Sequence, residues 1–227
     1  MLIKGLSTQI HGKVILSDVT VNFMKGLNVI LGPNGSGKTT LLRTIIGMID
    51  PVMGEITLDE GEIGYSPAEF FPAPMRVIDV MRSGTSVRDS IYLSYLQELG
   101  MDEYREREFS TLSSGEKRMV LVAKALAEGN SVLMDEPLSN LDARNYVRLV
   151  KAMRKFSKTK TIIVTSHDVE LATVADHVVL MKNGMVFKEG DPSSALTEET
   201  LSTLYDVKMR RVKVGERIIF VKDISNI

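Results

Sequence analysis

Eight residues limit this chain more than any others. Gly32, Pro33, Asn34, Gly35, Ser36, Gly37, Lys38 and Thr39 satisfy the spacing G-x-x-x-x-G-K-[ST]. Residues 27–31 before them form a short apolar run that reads as a buried strand, and residues 39–48 after them have helical spacing. A glycine-rich turn without a ligand would share the spacing, but the strand and helix supply the context of a phosphate cradle. Glycines let successive backbone N–H groups converge on one anion, and the helix adds its positive end. Lys38 can reach β- and γ-phosphates, the Thr39 hydroxyl can ligate Mg²⁺, and Thr40 can help hold the α-phosphate. The loop specifies a nucleotide. It does not say what the nucleotide drives.

The rest of the pattern gives an α/β chain. Val19, Val21 and Phe23 alternate with polar residues, as in a half-buried strand. Residues 132–134 and 161–164 read as buried parallel strands, with a crossover helix over 143–156 between them. Residues 57–65 suggest short strands around a Glu60-Gly61 turn. Residues 75–127 are helical, with breaks at Ser83-Gly84 and Gly100. Asn183-Gly184 between two apolar runs signals a hairpin. A helix is expected over 198–205, then strand-like runs near Val212 and over 218–221. There is no repeat, no low-complexity stretch and no convincing linker. The expectation is one domain over 1–227, with a core of 1–68 and 129–227 interrupted by a helical subdomain, 69–128.

Composition removes several classes of function. The 28 basic and 29 acidic residues leave a net charge of −1, whereas a protein that grips nucleic acid through its phosphates carries a basic excess. No nucleic-acid partner is expected. With no cysteine there is no disulfide framework, thiolate metal site or cysteine nucleophile. No apolar run reaches the ~18 residues that would span a bilayer, and residues 1–6 lack the apolar core of a signal peptide. The expectation is a cytoplasmic chain whose membrane role comes through a partner.

A second acidic site lies at residues 131–137, an apolar strand ending in Asp135, Glu136 and Pro137. The carboxyl end of a parallel strand is where open α/β sheets bind ligands. There Asp135 can hold Mg²⁺ and Glu136 can orient or deprotonate an attacking water, a role worth ~10²–10⁴ in rate. An Asp-Glu-Pro alone is an ordinary solvated turn; the phosphate loop gives it a purpose.

Leu112, Ser113, Ser114, Gly115 and Glu116 discriminate further. Locally they start a helix, with Ser113 as N-cap and Glu116 completing a capping box. The segment also resembles the signature of ABC ATPases, usually L-S-G-G-Q. Ser139, Asn140, Leu141 and Asp142 are similar to that family's D-loop, and Thr165, Ser166, His167 and Asp168 to its switch-histidine segment. These ordered elements identify the chain as a member of the ABC transporter ATP-binding subunits, with a P-loop NTPase core and mixed β-sheet. The resemblance implies that two such chains face head to tail as a homodimer or a pair of related subunits. Each ATP would then lie between one phosphate loop and the other chain's Ser113, Ser114, Gly115 and Glu116. It further implies that His167 senses the γ-phosphate, that Asp142 transmits geometry across the pair, and that Glu136, His167 and Lys38 carry hydrolysis. The implied partners are a membrane permease and a substrate-binding protein, with the chain peripheral on the inner face of the membrane.

Three segments depart from the family. Gly64, Tyr65, Ser66 and Pro67 are followed by Ala68 where glutamine is usual; Glu69 could supply the carboxylate instead, as a metal ligand. Ser114 and Glu116 replace glycine and glutamine. The adenine-stacking aromatic falls near Ile10 or His11, and His11 can stack on a base. Phe70 and Phe71, before Pro72, Ala73 and Pro74, suggest a docking segment or a loop packed on its own subdomain. The tail, with Glu189, Gly190, Asp191 and Pro192 and then Leu204, Tyr205, Asp206 and Val207, resembles importer subunits for iron chelates, haem or cobalamin. An exporter subunit and an iron–sulfur cluster assembly ATPase stay open. A P-loop kinase would have no reason to carry residues 112–116. A DNA- or ribosome-acting ABC ATPase usually has coiled coils or two cassettes.

Overall fold

The computed structural model describes residues 1–71, 74–84, 87–215 and 217–223. The chain divides into two compact units, 1–58 with 165–227, and 59–164.

The first unit opens with β1 (Leu2–Ile10), β2 (Lys13–Asn22), β3 (Gly26–Leu31), α1 (Lys38–Ile45) and β4 (Met53–Thr57). β1 is absent from the sequence expectation. It pairs antiparallel with β2 and with β4, in the order β2-β1-β4. Val19, Val21 and Phe23 are buried, as their alternation requires. Every residue of β3 is buried. β4 ends at Thr57, and the short strands on either side of Glu60-Gly61 do not pair with each other. The next strand, β5 (Ile63–Ser66), belongs to the other unit and pairs in parallel with β6 (Ser131–Asp135).

Between β5 and β6 the second unit holds α2 (Val77–Arg82), α3 (Asp89–Glu98) and α4 (Ser114–Glu128). Breaks fall after Arg82 and at Gly100, as the sequence predicts. A buried stripe on α4 (Met119, Val122, Ala123 and Leu126) recurs at helical spacing and packs it into the unit. Gly64 of β5 must be glycine because a Cβ would collide with the Ala125 carbonyl oxygen of α4 and come within 2.7 Å of its carbon. α5 (Ala143–Phe156) follows, then β7 (Thr161–Ser166), whose last two residues lie in the first unit.

The chain completes the first unit with α6 (Val169–Thr173), β8 (His177–Lys182), β9 (Met185–Gly190), α7 (Pro192–Ala195), α8 (Glu198–Tyr205), β10 (Met209–Val214) and β11 (Arg217–Lys222). β8 runs parallel to β3 and antiparallel to β9, giving the mixed strand directions expected. Asn183 (φ 51°) and Gly184 (φ 77°) form the left-handed pair that a two-residue hairpin needs. Among the described residues no helix is long and apolar enough to cross a membrane.

Candidate functional site

The phosphate loop, His11 and His167 lie in the first unit. Within the loop, Lys38 Nζ donates to the carbonyls of Gly32 (2.8 Å) and Pro33 (3.2 Å). Gly32 is forced by space: a Cβ there would strike the Met181 carbonyl oxygen and lie 2.6 Å from Ser36 Oγ. Gly37, the N-cap of α1, takes φ 99°, and a Cβ would sit 2.7 Å from Leu16 Cδ2. α1 has no side-chain cap and no acid in its first turn, so its positive end is left for an anion. The Ser36 hydroxyl is buried and has no hydrogen-bond partner among the described residues, which suits a phosphate oxygen. Asn34 and Gly35 are exposed at the tip, and Thr39 and Thr40 are half-buried. A further residue supports the loop and was missed as a site contributor. Gly184 donates its N–H to the Ser36 carbonyl (3.0 Å) and accepts from Ser17 N–H (3.0 Å). The Asn183-Gly184 turn thus closes a hairpin and buttresses the cradle.

His11 occupies the turn between β1 and β2 at φ 49°, exposed. His167 follows β7, exposed; its carbonyl accepts from Tyr205 Oη at 3.5 Å. Asp168 caps α6, accepting from Glu170 N–H at 2.8 Å.

The remaining residues lie in the second unit. Asp135 is fully buried at the end of β6. Glu136 is held at φ 50°, a conformation that costs a non-glycine residue energy and is concentrated at functional sites. Its carboxylate accepts a long bond from Ser139 Oγ (3.4 Å). The expected capping box is present: Glu116 N–H donates to Ser113 Oγ (3.2 Å) and Ser113 N–H to Glu116 Oε2 (2.7 Å). These bonds hold the Glu116 carboxyl below its ordinary pKa, and Glu116 in turn raises that of Tyr104. Ser114 has ordinary helical backbone, so no glycine is needed there. Gly115 is close to the next segment, since a Cβ would lie 3.2 Å from the Asn140 carbonyl oxygen. The signature-like turn therefore rests on the 139–142 segment. Asp142 caps α5, accepting from Asn145 N–H at 2.8 Å.

The stretch after β5 separates the two alternatives posed for the phenylalanines. Phe70 packs edge-on to Phe109 (6.2 Å between centroids), whereas Phe71 is 94% exposed. Pro72 and Ala73 lie outside the described residues. Glu69 is exposed. Arg118, which the sequence reading passed over, is buried and donates to the carbonyls of Pro67 (3.1 Å) and Ala68 (2.7 Å). Its position among the apolar residues of the α4 stripe is the signal that could have found it. Burial pushes its pKa down while Asp135 and Glu136 oppose that shift.

A glycine cradle opening α1 beside buried β3, together with an acid-tipped buried strand in the second unit, defines an α/β P-loop nucleotide-binding cassette. Residues 16–139 match the ABC transporter family, and the chain belongs to it. The chain is 28% identical to the petrobactin import ATP-binding protein YclP of Bacillus subtilis, covering 90% of this chain and 92% of that one. It is 35% identical to the hemin import ATP-binding protein HmuV of Bradyrhizobium diazoefficiens, over 78% and 77% of the two chains. Its fold is that of an inward-facing metal-chelate type ABC transporter (TM-score 0.84, 24% identity, 97% and 96% covered). It is also that of a bacterial ABC cassette solved as a dimer (TM-score 0.74, 23% identity, 84% and 98% covered). The chain is thus an ATP-binding, ATP-hydrolysing subunit of an ABC transporter.

Proposed function

We propose that this subunit powers import of a metal chelate, haem or cobalamin, and that two copies close on ATP to do so. The observation carrying the direction is the identity to import ATP-binding proteins across about nine-tenths of both chains. The chain works at the inner face of the membrane, docked on a polytopic permease that receives cargo from a substrate-binding protein. Residues 69–128 form the docking subdomain, with Phe71 as its exposed apolar contact.

In this reading the amides of Gly35 and Gly37, the Ser36 hydroxyl and Lys38 hold the β- and γ-phosphates. Thr40 assists at the α-phosphate and His11 stacks on the base. Thr39 and Asp135 would hold Mg²⁺, with Glu69 as a further carboxylate. The set fits that ion: Mg²⁺ on a nucleotide takes one or two protein oxygens and completes its shell with phosphates and water. When bound, Mg²⁺ neutralises charge on the phosphates. Glu136 accepts a proton from the attacking water and His167 orients it toward the γ-phosphate. Ser113 and Gly115 of the facing copy contact the γ-phosphate, with Ser114 and Glu116 completing that turn and Asp142 joining the two copies. Binding energy is thereby spent on closure, and phosphate release reopens the pair.

Reconstitution with the permease in vesicles tests the assignment. ATP-dependent uptake of a ferric chelate, haem or cobalamin is expected. Movement of cargo outward, or failure to co-purify with any polytopic membrane protein, would reject it.

A further inference from the structure

At the position where glutamine is usual, the segment after β5 has no polar side chain with which to report on nucleotide. Ala68 carries only a methyl group, and Glu69 is exposed. What the segment offers is its carbonyls, and one guanidinium takes two of them. Arg118 Nη1 donates to Pro67 O (3.1 Å) and Nη2 to Ala68 O (2.7 Å), while Nη1 also lies 3.5 Å from Asp135 O. The same guanidinium covers the Phe70 ring at 5.4 Å from its centroid. Arg118 stands three residues beyond Gly115 on α4, within the helix that Ser113 caps. A planar fork of donors suits this spacing, with a separate nitrogen for each carbonyl. Charge-assisted bonds are roughly twice as strong as neutral ones, so the link is stiff.

We propose that Arg118 is a positioning residue that fastens the 67–70 segment to the signature helix. Displacement of the Ser113–Gly115 turn is then delivered through two backbone carbonyls to Phe70 and the exposed Phe71. In this role Arg118 acts on backbone carbonyls and on Phe70, and no nucleotide contact is assigned to it. The inference rests on the proposed function, because it assumes that the turn meets ATP on a facing copy.

The test compares the full-length chain with Arg118→Lys and Arg118→Met by hydrogen exchange and by ATPase kinetics. Lysine keeps the charge but has one nitrogen in place of the planar two-nitrogen fork, so it serves if the methionine variant does not fold. Without nucleotide, either variant should speed amide exchange at residues 68–71 at least tenfold. In turnover, kcat should fall at least fivefold while KM for ATP stays within about twofold, because the nucleotide contacts are untouched. Exchange at 68–71 like that of the native chain overturns the proposal. Faster exchange with native kcat also overturns it, since Arg118 would then be structural only. A native chain that hydrolyses ATP without pairing removes the facing-copy reading, and this inference with it; that failure is read on the native chain alone.

Discussion

Lys38 Nζ lies 2.8 Å from the carbonyl oxygen of Gly32, the first residue of its own loop. The lysine is 7% exposed, so its ammonium is held over the cradle by the loop it serves. This costs the side chain little further entropy when phosphate arrives. Lys38→Met should weaken ATP binding by about 2–3 kcal/mol, the upper part of the range for a charged hydrogen bond. Calorimetric titration should read this as a loss of roughly thirty- to 150-fold in affinity.

Glu136 is expected to act on water and not to hold the fold. Glu136→Gln should keep ATP affinity, lower turnover at least a hundredfold, and accumulate an ATP-bound pair on size-exclusion chromatography. A variant that stays monomeric with native turnover would contradict its assignment as base.

Phe70 and Phe71 are neighbours with opposite surroundings. Phe70→Ala should cost about 2 kcal/mol of stability, because it empties a half-buried contact with Phe109. Phe71→Ala should change stability by less than about 0.5 kcal/mol, as for an exposed site. It should nevertheless weaken co-purification with the permease. Denaturant unfolding and pull-down separate the two effects.

Gly64→Ala should destabilise the chain by about 3 kcal/mol, as overpacking against rigid backbone does. The added methyl would meet the Ala125 carbonyl, which cannot swing aside as a side chain would. Urea midpoints of the two proteins measure it.

Asp191 caps α7 and accepts bonds from both Ser193 and Ser194. The Ser193 hydroxyl bond comes first among the causes that lower its pKa from 3.8 to about 2. A lowered carboxylate stabilises the folded state fully above its unfolded pKa and loses that contribution as pH falls toward the folded one. Asp191→Asn should therefore be less stable than the native chain at pH 6. The gap should narrow from about pH 4 downward and close near pH 2, as thermal unfolding at several pH values would show.

The chemistry-bearing motifs were legible because each is a run of adjacent residues. Cradle geometry needs glycines at fixed offsets from Lys38, a capping box needs Ser113 and Glu116 three apart, and a two-residue hairpin needs Asn183-Gly184. Local steric rules enforce all three, so order along the chain suffices. The buried strands and α5 followed for the same reason, from short-range hydrophobic pattern. β1 was not legible: β2 pairs with it across the short His11-Gly12 turn, but β4 covers its other edge from far along the chain. Short strands were legible around Glu60-Gly61, but turn signals do not reveal which strand each end will join. Only the tertiary structure showed that Gly184 supports Ser36, that Gly115 rests on Asn140, and that Arg118 holds Pro67 and Ala68. Those contacts join residues 25 to 148 positions apart, and such distances are closed by packing, which sequence spacing does not encode.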